Sequence, residues 1–303
     1  MAAPAARPGS AGVNRLRDAA ELIKLRIQAM ALLVAVAALW LASRHNGAAF
    51  DAAVLPHLLA GFALVCSGAA ALNQVLEADV DARMQRTRLR PIPAGRIARR
   101  TVLALSLTAA AAGVAWLAWR VNPLCAGLSL TMLAVYDFAY TPLKRITPLN
   151  TIVGAFPGAM PALVGWSAAG YGLDFVAGML FAILFLWQIP HFIAIAWIHR
   201  EDYRRAGFRM ITLADAEGRA SGRQAVSWAL ALVPASLLPS LAGAGPAYFC
   251  GALLLSLGFL AAALRFRLGS SLPRARSLLR VSLVYLPLLL LLLAADAAPA
   301  AAR

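Results

Sequence analysis

The stretch "ALNQVLEADVDARMQRTRLRP", residues 71–91, joins the end of a long apolar run to three carboxylates and four arginines. On a helix, Asn73, Glu77 and Asp81 step by four residues, about 400° each time, so they share one stripe while Asp79 points elsewhere. An amide oxygen and two carboxylates on one face are hard donors suited to Mg²⁺, an ion that keeps several waters and shares its sphere with phosphate oxygens. A helix end facing water also explains the carboxylates. It does not explain an asparagine one turn deeper in an apolar run.

The chain around this stretch is 61% hydrophobic and 14% charged, with a mean hydropathy of +0.73, which makes the bilayer its solvent. Apolar windows long enough to cross fall at about 22–42, 54–76, 98–118, 122–141, 150–168, 174–198, 225–242, 246–264 and 279–295. Spans of that length in hydrocarbon are helices, because every backbone polar group needs an internal partner. The fold expected is therefore all-α: a polytopic membrane protein of nine transmembrane helices around a cavity that opens to the cytoplasm.

A net charge of +15 invites a nucleic-acid reading. Placement removes the need for it. With the N-terminus inside, all 28 lysines and arginines except Arg44, Arg120 and Arg303 fall in cytoplasmic segments, which is the positive-inside pattern of a membrane protein. The C-terminus then lies outside. Residues 1–21 are too basic for a cleaved signal peptide and read as a flexible cytoplasmic tail. Residues 22–295 form one transmembrane domain, and 296–303 read as a disordered tail. The three cysteines, Cys66, Cys125 and Cys250, have no metal-ligand or paired spacing.

Two inner loops, 77–97 and 199–223, are long and carry both signs of charge, four spans apart. That spacing suggests two related halves over a shared inner cavity. Arg83, Arg86, Arg88 and Arg90 follow the acidic stripe; they suit neutralising it, binding anionic lipid, or, using both halves at once, gripping a diphosphate whose oxygens also bind Mg²⁺. In "WQIPHFIAIAWIHREDYRRAGFRM", residues 187–210, Pro190 frees a carbonyl within a span and His191 follows. A lone histidine there is a packing residue or a cavity group, and His199, Glu201 and Asp202 lie two to three turns on. Span four ends in "YDFAYTPLKRITPLN", bringing Asp137, Tyr140, Lys144 and Arg145 toward the same face, the last two also serving as topological anchors. Span five, "TIVGAFPGAMPALVGW", is bent and small-residue rich, as a pocket wall is.

A Mg²⁺ site, a basic surround and apolar walls fit a lipid diphosphate whose tail lies in the membrane. The matching chemistry is ionisation of an allylic C–O bond, with the cation trapped by an electron-rich acceptor away from water.

Three separate stretches, "NQVLEADVDARMQRTRLRP", "YTPLKRITPLNTIVGAFPGAMPALVGW" and "WQIPHFIAIAWIHREDYRRAGFRM", occur in order on this span count. Together they make the chain resemble the UbiA superfamily of intramembrane prenyltransferases, specifically its haem-modifying branch, from about residue 20 to 295. The resemblance implies an Mg²⁺-dependent transferase of the cell inner (plasma) membrane. Its substrates would be farnesyl diphosphate and haem B, its products haem O and pyrophosphate, and a further partner the next enzyme of haem A synthesis. It also implies Asn73, Glu77 and Asp81 as Mg²⁺-diphosphate ligands and Arg86 and Arg90 as diphosphate contacts. Tyr140, Lys144 and Arg145 would help to hold the diphosphate, and His191, in the "PHF" of the haem branch, would contact haem. Three departures stand out. The second aspartate pair is replaced by His199, Glu201, Asp202 and Tyr203, of which Asp202 is carried over as a ligand. The Lys-Pro-Arg of span one is "KLR", keeping both cations as Lys24 and Arg26, and Glu77 stands where relatives have Asp. The rival readings are an aromatic acceptor of the quinone type, a transporter, and a structural subunit whose charges anchor headgroups.

Overall fold

The computed structural model describes residues 8–296, all helix and connecting loop. Where a flexible tail was expected, residues 8–22 form a helix, α1 (Pro8–Leu22). Its end is tied down from two sides: Arg96 binds both carboxylate oxygens of Asp18, and Gln74 holds the carbonyls of Glu21 and Leu22. Residues 1–7, the remainder of that expected tail, lie outside the described residues, as do residues 297–303 of the other.

Nine helices, among the described residues, are long and apolar enough to span a membrane. They are α2 (Leu25–His45), α3 (Val54–Asp81), α4 (Arg99–Arg120), a composite fourth span, α7 (Asn150–Ala168), α8 (Phe175–Ile198), α11 (Arg219–Leu241), α12 (Pro246–Arg267) and α13 (Leu272–Asp296). The fourth is built from α5 (Pro123–Ala134), a π-helical stretch Val135–Tyr140 and the short α6 (Thr141–Leu143). Two further short helices, α9 (Arg200–Ala206) and α10 (Ile211–Ala214), lie in the loop after α8. Leu105, Leu254 and Leu291 are more than 60% exposed, as side chains facing lipid should be.

Two large apolar clusters make up most of the core, and two small ones lie at the polar end. One large cluster joins α3, α4 and α5, the other α8, α11, α12 and α13, and both draw residues from α2 and α7. These two clusters therefore meet on α2 and α7. Close approach is allowed by small residues: a Cβ at Gly113 of α4 would lie 2.7 Å from the Gly61 carbonyl oxygen of α3. One at Gly165 of α7 would strike the Ala35 carbonyl of α2. The third span ends only two residues past its expected boundary, at Arg120, but α3 runs five residues past its own, to Asp81. Its last turns carry the acidic stripe into the polar end of the bundle, because residues 77–81 stay on the helical ladder and their inner face is packed rather than solvated.

Candidate active site

The helical phase of α3 decides what its charges face. Asn73 and Asp81 are fully buried and Glu77 is 5% exposed, whereas Asp79 turns out to solvent and pairs loosely with Arg99 at 3.4 Å. Three cations from three different segments cover the stripe. Lys24 Nζ donates to Asn73 Oδ1 at 2.6 Å, Lys144 Nζ to Glu77 Oε1 at 2.9 Å, and Arg90 Nη1 to Asp81 Oδ2 at 2.7 Å. Charges so far from water need such partners.

The π-helical turn of span four supplies the opposite wall. Pro142 has no N–H to continue an α-helical ladder, and the wider π turn just before it accommodates the break. The Thr141 hydroxyl satisfies the Tyr136 carbonyl at 2.9 Å and accepts from Asn73 Nδ2 at 2.9 Å. Tyr136 OH accepts from Lys24 at 3.1 Å. The Tyr140 ring lies 4.4 Å from the Lys144 ammonium and packs on Gly154 of α7, where a Cβ would come within 2.5 Å of the ring. Asp137 is fully buried here too. Burial, together with the charges of Arg90 and Lys144, lowers the Lys24 pKa to about 7. Burial works against the Lys144 charge as well, but Tyr140 and Glu77 outweigh it and its pKa is raised.

The residues expected from the sequence separate into two groups. Asn73, Glu77, Asp81, Lys24, Arg90, Tyr140 and Lys144 converge. Arg26 and Arg145 are exposed and make no described contact with the stripe. Arg86 lies on the exposed side of the 83–90 loop, near His199 and Tyr203, where its charge, after burial, helps to lower the His199 pKa. Asp202 accepts from the Gln85 N–H at 3.1 Å, holding α9 against that loop. It does not join Glu77 and Asp81: among the described residues no three His, Cys, Asp or Glu side chains gather as a metal cluster. His191 sits deeper in α8 and faces α13, its Nδ1 2.7 Å from Ser282 Oγ and its ring stacked on Trp187. No described hydrogen bond links it to the stripe. Sequence reasoning missed Gln74, Tyr136 and Thr141; only Gln74, a second amide in an apolar run, left a readable signal.

The donor set of the stripe fits a hard divalent cation. Asp81 Oδ1 is buried without a hydrogen-bond partner, and Asn73 and Glu77 add two more hard oxygens on the same face.

With this geometry in place the comparisons are decisive. The model of the UbiA prenyltransferase family matches residues 31–286. The chain belongs to the UbiA prenyltransferase family. One UbiA relative, protoheme IX farnesyltransferase of Solibacter usitatus, is 44% identical over 284 residues, 90% of this chain and 96% of the relative. Among solved structures, one described as a digeranylgeranylglyceryl phosphate synthase in membranes superposes with a TM-score of 0.76 at 16% identity, covering 94% of this chain and 99% of that one. A UbiA homolog from Archaeoglobus fulgidus bound to GPP and Mg²⁺ gives 0.60 at 13% identity, covering 91% and 99%. The family, the nine apolar helices and these likenesses make the chain a multi-pass membrane protein with the UbiA fold.

Proposed function

We propose that this chain is a protohaem IX farnesyltransferase: it transfers the farnesyl group of farnesyl diphosphate to a vinyl group of haem B, water adds to the adjoining carbon, and haem O and pyrophosphate are released. The observation that carries this is the 44% identity, across 90% of the chain, to a protein of that name. The buried stripe with its three covering cations is the part of the structure suited to the first step.

Asn73, Glu77 and Asp81 would hold Mg²⁺. Bound there, the ion supplies positive charge to the pyrophosphate as it leaves. Entry of the diphosphate gives Arg90, Lys144 and Lys24 phosphate oxygens in place of the protein oxygens they now hold, and frees the stripe for ligation. The apolar spans hold the farnesyl chain and keep water from the allylic cation until the vinyl group attacks. His191, beside Trp187 and Ser282, is proposed to face the acceptor porphyrin, and Asp202 to fix the arginine loop that closes over the diphosphate. Arg86, exposed on that loop, meets the diphosphate only when the loop moves. The domain is proposed to run over residues 22–295 in the cell inner membrane, N-terminus cytoplasmic, C-terminus outside, with the product passing to an enzyme that oxidises haem O further.

The test is direct. Membranes containing the chain, given haem B, farnesyl diphosphate and Mg²⁺, should yield haem O by mass analysis and one pyrophosphate per haem O; chelating the metal should stop both. Prenylation of an aromatic acid with haem B left unchanged would move the chain to the quinone branch. Absence of pyrophosphate release with any acceptor would remove the transferase reading.

A further inference from the structure

Gln74 has no part in the chemistry above, yet it is fully buried beside the stripe. Its amide nitrogen donates to two carbonyls, those of Glu21 and Leu22, each at 2.9 Å. These are the last carbonyls of α1, which lack intrahelical partners, and the Glu21 carbonyl also accepts the Lys24 N–H at 3.3 Å. Two residues on, Lys24 has a left-handed backbone, φ 51° and ψ 51°, alone in this among the described non-glycine residues. A side chain with a Cβ adopts that conformation only where its surroundings impose it. The turn sends the Lys24 side chain toward α3, where its ammonium reaches Asn73 and Tyr136. Lysine is a long, rotatable side chain with a strongly hydrated head, so holding it at one buried point requires a fixed backbone origin. A second tie, from Arg96 to Asp18 at 2.7 to 3.1 Å, fixes α1 one turn earlier.

We infer that Gln74 is a positioning residue acting through Lys24. By capping the end of α1 it fixes the left-handed turn that keeps the Lys24 ammonium on Asn73, where the diphosphate arrives. The identity of that ligand rests on the proposed function; the positioning itself does not. Gln74 touches no reacting atom.

The experiment is a double-mutant cycle in the full-length chain in lipid nanodiscs. It reads the KM for farnesyl diphosphate, the KM for haem B, and the Kd of inorganic pyrophosphate with Mg²⁺. Loss of both amide donations in Gln74→Leu should raise the farnesyl diphosphate KM and the pyrophosphate Kd by about tenfold each and move the haem KM less than about twofold. In a Lys24→Met background the same substitution should change either quantity by less than about twofold. An equal effect with and without Lys24, or a haem KM that moves as far as that of farnesyl diphosphate, makes Gln74 a packing residue and overturns the inference. Should Gln74→Leu not fold, Asp18→Asn loosens α1 from the surface. It should raise the pyrophosphate Kd about threefold, and only when Lys24 is present; no rise overturns the inference. Failure of the wild-type chain to make haem O would strike the substrate reading alone, since the pyrophosphate cycle still decides the role of Gln74.

Discussion

The two charged segments at the arginine-rich end use the same residue types and reach opposite physical situations. In 73–90 Glu77 and Asp81 face inward, sealed from water and each held by a cation from elsewhere in the chain or from the following loop, and only Asp79 turns to solvent. In 199–206 Glu201 is exposed and pairs with Arg204 and Arg205 on its own helix, while Asp202 caps a neighbouring N–H. A surface pair contributes about 0 to 1 kcal/mol, whereas removing one partner of a buried pair costs about 3 to 5 kcal/mol because a charge is left without water. Evolved folds keep such costly groups where they act on something. Under the proposed function, the buried stripe is the reaction site and 199–206 its scaffold.

The contrast breaks most sharply at Asp81. Asp81→Asn should lower haem O formation by at least about 10²-fold, because the carboxylate proposed to hold the cation that neutralises the departing pyrophosphate is lost; near-normal turnover in membranes would place the metal elsewhere. Lys144→Met should come next, destabilising the chain by about 3 kcal/mol through the stranded Glu77 carboxylate, seen as a lower Tm in detergent. Adding Glu77→Gln should restore most of that stability without restoring transfer, which separates the structural from the chemical role of the pair. Asp202→Ala should cost less, about five- to tenfold in kcat/KM for farnesyl diphosphate, as one hydrogen bond to the arginine loop disappears. Glu201→Gln should be the smallest, within about twofold in activity and about 0.5 kcal/mol in stability.

A pH experiment sharpens the same comparison at α1. The hydrogen-bonded Arg96 guanidinium lowers the Asp18 pKa from its ordinary value. A lowered folded-state pKa means that the tie is fully present above the ordinary aspartate range and is lost as the pH falls through the folded value. Hydrogen exchange of α1 amides should therefore stay constant from neutral pH down to the carboxylate range and quicken below it, once the intrinsic pH dependence of exchange is divided out. The change should be modest, since Arg96 is partly exposed.

Much of the site could be read along the chain because it depends on helical phase. The four-residue step of Asn73, Glu77 and Asp81 predicts one face, and that face is the buried one. Lys144 and Tyr140 were likewise placed near it by their position at the end of a span. Arg26 and Arg145 lie on the exposed surface although each is within two residues of a lysine that enters the site: Lys24 and Lys144 sit in turns at helix ends, and it is the turn, not a helical phase, that sends each inward. Asp202 and His191 depend on how α9 and α8 dock, which no periodicity reports.

The sequence by itself determined the nine apolar windows and the acidic stripe, because hydropathy and helical phase are sums over neighbours, while the resemblance to a prenyltransferase family rested on three motif stretches in order. Only the tertiary structure decided that Lys24, Arg90 and Lys144 cover that stripe, that α1 is a docked helix and that Gln74 holds its end. Contacts between residues 49 and 67 positions apart are set by how helices pack, and a buried charge takes whichever partner that packing delivers.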